Sequence, residues 1–284
     1  MINDENNRKE ELLLQRYGID AMPKEILWNN QIEALLSHRS VRKYLPDALP
    51  EGAIETIVAA AQSASNSSNL NQWSVIAVTD VELKAEVAKT SRLGSKFGKG
   101  NPYIEQAPVF LLWIADMYRN NEISSVENGS NEVQKYTDAL LMASIDTAIA
   151  SQNAVIAAES LGLGVVYIGA MRNNAKEIAA LLNLPAYSYV VFGMVLGMPD
   201  PSEVSSIRPR LSQKAVLHYN GYDRKSWKEE VPVYEKAFLK FRQDNSLKPQ
   251  TWQDAVRFSS NDMTYMEGRQ NLRQTLEERG FELR

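Results

Sequence analysis

Residues 139–161 form a run dominated by Ala, Ile, Leu, Met and Val, and no other stretch constrains the fold as much. A helix of that length can cross a bilayer or form the spine of a domain. Asp138, Asp146, Gln152, Asn153 and Glu159 punctuate the run and decide between the two. A charge at mid-bilayer costs about 2.5–3.5 kcal/mol even on a lenient insertion scale. The stretch therefore reads as the buried helix of a soluble protein, running from about Val133 to Leu161 and ended by Gly162. Its many alanines and serines permit close helix–helix approach, inside the core or across a dimer interface.

Around this helix the periodicity alternates. Leu12, Leu13 and Leu14 lie in a charged helical pattern that stops at Gly18. Ile32, Leu35 and Leu36 follow Asn29-Asn30, which suit an N-cap. Pro50 suits a first helical turn before Ile54, Ile57 and Val58. Trp73 to Thr79 is a β-type run followed by Asp80, a cap for the next helix, and Val109 to Ile114 is an apolar run of strand length. Further strands are expected at Val165 to Ile168 and Tyr189 to Leu196, with a helix over 174–183 between them. His218 falls in a further expected strand, as a structural residue. The tail from 230 onward is more charged, mostly helical, and broken around Pro249. Strands separated by helices around one very apolar helix indicate α+β or α/β layering.

Composition removes several kinds of chemistry. The 284 residues contain no cysteine, which excludes disulfides, thiolate metal sites and thiol nucleophiles. The two histidines are far apart, no His/acid pair has metal-ligand spacing, and no G-x-S-x-G elbow occurs. A formal net charge of −4 gives no general attraction to nucleic acid or anionic membrane, so a bound anion needs a local basic pocket. The polar start, Met1-Ile2-Asn3-Asp4-Glu5, lacks the apolar core of a signal peptide, and a cytoplasmic protein is expected. With no nucleophile paired to a base, any redox chemistry has to come from a cofactor.

Two basic segments can supply the anion pocket: His38-Arg39-Ser40-Val41-Arg42 and, some 170 residues later, Arg208-Pro209-Arg210. Each alone reads equally as a solvated turn. Together they suit a phosphate, because the guanidinium fork makes bidentate charge-assisted bonds. The loop Ser65-Asn66-Ser67-Ser68-Asn69-Leu70-Asn71-Gln72 is either a connector or a set of short donors for a polyol. Gly162-Leu163-Gly164-Val165-Val166-Tyr167-Ile168-Gly169 fails the dinucleotide spacing and opens a strand. It is either a helix C-cap with an edge bend or a place where backbone approaches a flat ligand. The glycine-rich segment 94–100 lacks phosphate-loop spacing and reads as a loop.

These segments resemble, in order, those of the FMN-dependent nitroreductase superfamily, in its subgroup of NADPH-preferring flavin reductases and oxygen-insensitive nitroreductases. The resemblance covers roughly residues 31 to 223 and also includes Tyr103-Ile104-Glu105-Gln106-Ala107-Pro108, Asp146-Thr147-Ala148, Arg172-Asn173-Asn174 and Phe192-Gly193-Met194-Val195-Leu196-Gly197. It implies an α+β fold with a central mixed sheet, flanking helices, and the long helix at a homodimer interface. It divides the chain into an N-terminal helical extension (1–30), an FMN-binding core (31–223) and a C-terminal helical excursion and tail (224–284).

By the same resemblance, Arg39, Arg42, Arg208 and Arg210 would meet the FMN phosphate, with His38 and Ser40 nearby. Tyr167, Ile168 and Gly169 would face the flavin edge at N5. Ser65, Asn66 and Ser67 would reach the cofactor from the other subunit, and Asn101 would lie near the pyrimidine ring. Lys248 and Arg257 are candidates for the nicotinamide 2′-phosphate. The implied activity is ping-pong transfer from NADPH or NADH, through FMN, to nitroaromatics, quinones or free flavin, with no metal. Ala170 stands where a second Gly is common and Arg208 where Lys is frequent. The alternatives are a flavin-fragmenting or dehydrogenating relative, and a non-catalytic flavin-binding or sensing protein.

Overall fold

The computed structural model describes residues 2–93, 101–126, 129–203 and 205–284. The glycine-rich segment 94–100 lies outside them. The chain forms two compact units, one of Met1–Arg39 with Val204–Tyr265 and one of Ser40–Glu203 with Met266–Arg284. In chain order the helices are α1 (Ile2–Tyr17), α2 (Asn30–Ser37), α3 (Ala53–Gln62), α4 (Val81–Thr90), α5 (Tyr103–Gln106), α6 (Tyr118–Ser125), α7 (Thr137–Ser160), α8 (Ala175–Leu181), α9 (Gln213–Val216), α10 (Ser226–Asp244), α11 (Trp252–Asn261) and α12 (Leu272–Glu278). The strands are β1 (Trp73–Val78), β2 (Val109–Asp116), β3 (Gly164–Ile168) and β4 (Ser188–Gly197).

The second unit holds the sheet, ordered β1-β2-β4-β3. Every pairing is antiparallel, so the expected mixed sheet is corrected to an antiparallel one within an α+β fold. The mixed sheet is an implication of the resemblance, and the alternation of strands and helices leaves both α+β and α/β layering open. Between β1 and β2 the chain runs through α4 and α5, and between β3 and β4 through a 3-10 turn and α8, and both pairs are antiparallel.

Strand β2 is buried along its whole length because alternate side chains enter two cores. Phe110, Leu112 and Ile114 pack with Val87 and Ala88 of α4 and Ile178 of α8. Leu111 and Trp113 pack with Ile57 and Ala61 of α3 and with Ala150, Ala154 and Ala158 of α7. Gly193 on β4 is obligatory, since a Cβ there would lie 2.2 Å from the Phe110 ring.

Helix α7 starts later than expected, at Thr137, because Glu132–Lys135 form a 3-10 turn and Tyr136 is extended at ψ 150. It ends as expected, with Gly162 at φ +78. The Gly162 N–H bonds the Glu159 carbonyl and the Leu163 N–H bonds that of Ala158, a double C-terminal cap. By length and composition α7 could cross a membrane, yet half of its most apolar window is buried within the fold. Asn29 and Asp80 cap α2 and α4 as expected, accepting from Ile32 N–H and Leu83 N–H. Pro50 instead precedes α3, where its carbonyl accepts from Ala53 N–H, and Gly52 at φ +77 makes the entry. His218 is not in a strand. It follows α9, stacks 4.4 Å from Tyr222 and accepts from Asp223 N–H, so its contacts are local.

Candidate functional site

In the first unit the two basic segments meet on α1. Leu12, Leu13 and Arg16 form its buried stripe, and Arg16 is only 6% exposed. Its guanidinium donates to the carbonyls of Leu36 and His38 at 2.7 and 2.8 Å, and to that of Arg208 at 2.9 Å. In return, Arg210 N–H donates to the Arg16 carbonyl at 2.7 Å. Residues 207–210 alternate, with Ile207 and Pro209 buried and Arg208 and Arg210 exposed, so both arginines leave the segment on one side. Arg208 lies over the Phe241 ring at 5.6 Å. Burial raises the Tyr234 phenol, while the charges of Arg210 and Arg208 pull it the other way. Arg39 is exposed and, with Ile207, Pro209, Lys240 and Phe241, lines a cleft of about 710 Å³. His38 is half-buried beside it in the chain.

In the second unit, Val41 N–H bonds the Val165 carbonyl at 2.9 Å, which lays the Ser40–Arg42 stretch against β3. This approach requires Gly164, where a Cβ would come within 2.7 Å of the Val41 side chain. Arg42 is exposed near Tyr103, whose phenol is raised by burial and eased back by the Arg42 charge. The Tyr103 hydroxyl donates to Asn101 Oδ1 at 2.5 Å, joining Asn101 to the same group.

At the far end of β3, Tyr167 packs edge-on to Phe192 and donates its hydroxyl to Ser151 Oγ at 3.0 Å. The residue keeps 37% exposure, but the enclosed hydroxyl end has its pKa pushed up to about 12 by burial. Ile168 is buried and Gly169 is exposed. The Arg172 guanidinium bonds the Val191 carbonyl and lies beside Gly169, 3.4 Å from where a Cβ would stand.

The Ser65–Ser67 stretch is held on α7. The buried Asp146 carboxylate accepts Ser67 N–H with both oxygens, at 3.0 and 3.1 Å, and the Ser67 hydroxyl at 3.0 Å. Ser65 is exposed, and Asn66 Oδ1 accepts from Asn71 N–H at 3.3 Å. Ser68, Asn69 and Asn71 all have positive φ, a run that two asparagines make tolerable. Arg257 pairs with Asp254 on its own helix, and Lys248 is exposed. Among the described residues no group of three or more His, Cys, Asp or Glu could hold a metal.

A model of the nitroreductase family matches residues 35–198, and a model of that family's C-terminal domain matches residues 208–284. The chain belongs to the nitroreductase family. The C-terminal match carries the family likeness through the tail, beyond the 31–223 covered by the first resemblance. The chain is 34% identical over 234 residues to the FMN reductase (NADPH) of Bacillus subtilis, covering 80% of this chain and 90% of that one. The hypothetical oxidoreductase YcnD of Bacillus subtilis superposes with a TM-score of 0.82 at 32% identity, covering 90% of this chain and 99% of that one. The NADPH:FMN oxidoreductase of Vibrio harveyi complexed with NAD+ gives a TM-score of 0.76 at 33% identity, covering 90% and 100%.

Two residues without an assigned role each fix a candidate segment within its own unit: Arg16 in the first and Asp146 in the second. Arg16 carried a signal, an arginine at i+3 and i+4 from leucines on one helical face. Asp146 was visible only as a charge in an apolar helix, with nothing to name Ser67 as its partner.

Proposed function

We propose that the chain is an NAD(P)H-dependent FMN oxidoreductase that reduces nitroaromatics, quinones or free flavin. The observation that carries this reading is the meeting of His38-Arg39 and Arg208-Pro209-Arg210 on α1, from opposite ends of the sequence, in an acidic protein. The donor set of the first unit fits the phosphate of FMN: the guanidinium forks of Arg39, Arg208 and Arg210 suit one doubly charged group. When bound, FMN supplies a ring that accepts hydride from nicotinamide and returns electrons to the acceptor.

The residues of the chain bind and orient. Arg39, Arg208 and Arg210 neutralise the phosphate, with His38 beside them. The backbone of Tyr167, Ile168 and Gly169 would face the reactive edge, where the exposed Gly169 leaves room for a flat ring. Tyr167, with its raised pKa, stays neutral through the physiological range and keeps negative charge away from that edge. Asn101 serves the pyrimidine end, and Ser65, Asn66 and Ser67 serve the ribityl chain of a neighbouring copy.

The partner is a second copy of this chain. The stripe Leu141, Ile145, Ile149 and Ile156 on α7 is 39–54% exposed, an apolar face that water would otherwise cover. We read residues 1–30 as an extension of the family core, in line with a family match that starts at residue 35. The reaction belongs in the cytoplasm, where reduced nicotinamide is available. Denaturing the purified protein is expected to release FMN and not FAD, and anaerobic NADPH is expected to bleach the bound flavin. Colourless protein that takes up no FMN, or flavin that NADPH leaves oxidised, overturns the reading.

A further inference from the structure

We infer that Arg16 is a positioning residue for the cofactor phosphate, and that α1 acts as a brace for the phosphate-binding arginines. The inference rests on the FMN reading above.

The geometry is reciprocal. Leu36 lies in the last turn of α2, where carbonyls lack intrahelical partners and carry the negative end of the helix dipole. The Arg16 guanidinium supplies both the charge and the donors for that end, bonding Leu36 and His38 through one terminal nitrogen, while its other terminal nitrogen bonds the Arg208 carbonyl. Arg16 is itself in the last turn of α1, and its own carbonyl accepts from Arg210 N–H. Four bonds thus fix the backbone at 36–38 and 208–210 to one buried residue. Arg39 follows immediately in the chain, and Arg208 and Arg210 both emerge on the exposed side of their segment.

Side chains carried on a fixed frame lose less freedom when they close on an anion than side chains carried on independent loops. Lysine cannot replace Arg16 in this. Its single nitrogen is a compact charge that cannot span carbonyls on two segments as a planar fork does. The family match begins at residue 35, so this brace comes from a part of the chain that the family model does not include.

A merely structural Arg16 would affect every flavin alike, whereas a brace for the phosphate site would affect only phosphorylated ones. The test titrates the full-length flavin-stripped protein with FMN and with riboflavin, following flavin fluorescence, for wild type, Arg16→Ala, Arg16→Lys and Arg208→Ala. Arg16→Ala is expected to weaken FMN about 10- to 100-fold, the range typical of residues that hold ligating groups in place, with riboflavin affinity almost unchanged. Arg16→Lys is expected to fall between Arg16→Ala and wild type, and it decides the matter if Arg16→Ala does not fold. Equal losses for FMN and riboflavin, or no loss for either, overturn the inference. If Arg208→Ala leaves the preference for FMN over riboflavin intact, the phosphate assignment itself fails. If Arg208→Ala abolishes that preference while both Arg16 variants retain it, only the brace fails.

Discussion

Asp146 is 1% exposed in an apolar helix, where Ser67 supplies three polar contacts to it. Burying a polar group without partners costs free energy, and hydrogen bonds from backbone and hydroxyl donors offset that cost. Asp146→Ala removes all of these acceptors and leaves a backbone N–H unpaired, at a cost of about 1.5–3 kcal/mol. Ser67→Ala removes only the hydroxyl and retains the N–H bond, costing about 0.5–1.5 kcal/mol. Urea unfolding midpoints should therefore fall further for Asp146→Ala than for Ser67→Ala, and the opposite order would mean that the carboxylate is held by something else. Neither effect was legible in the sequence. The two residues stand 79 positions apart, and a Ser in a polar loop carries no mark of the helix on which it rests.

At the scale of elements, the apolar stretch at 139–161 announced α7 and its glycine cap, because a 3.6-residue period and a left-handed stop are local properties. The buried strands β2 and β4 were equally plain as continuous apolar runs. Strand sense was not, since it depends on paths between strands that no local pattern encodes, and Pro50 was misplaced because Gly52 makes the turn into α3. Helix α7, read as packing inside the core or across a dimer interface, has two faces. One face carries Ala143, Ala150, Ala154 and Ala158 against the sheet, and the other exposes Leu141, Ile145, Ile149 and Ile156. A second copy would remove that face from water, at about 25 cal/mol per Å² of apolar surface. Ile145→Glu combined with Ile149→Glu is accordingly expected to shift the sedimenting species from dimer to monomer and to reduce bound flavin with it. A double variant that stays dimeric would locate the interface on another surface.

For the whole molecule, the two basic segments proposed to hold the phosphate were recognisable from the sequence as arginine pairs in an acidic chain. The residue that joins them was not, because Arg16 lies in a helix whose local pattern explains it as ordinary. The same inventory bears on catalysis. The chain has no cysteine and two histidines, and its net charge is −4, so neither a covalent nucleophile nor a broad basic surface selects the acceptor. Selection falls to the shape of the opening over the cofactor. On the proposed reading, one face of a flat ring would accommodate one planar partner at a time, so nicotinamide would leave before the acceptor enters. Initial rates with NADPH varied at several fixed acceptor concentrations should give parallel double-reciprocal lines, and chemically unrelated acceptors should share that pattern. Lines that intersect would require both substrates to be held together, and with that a second binding region alongside the ring.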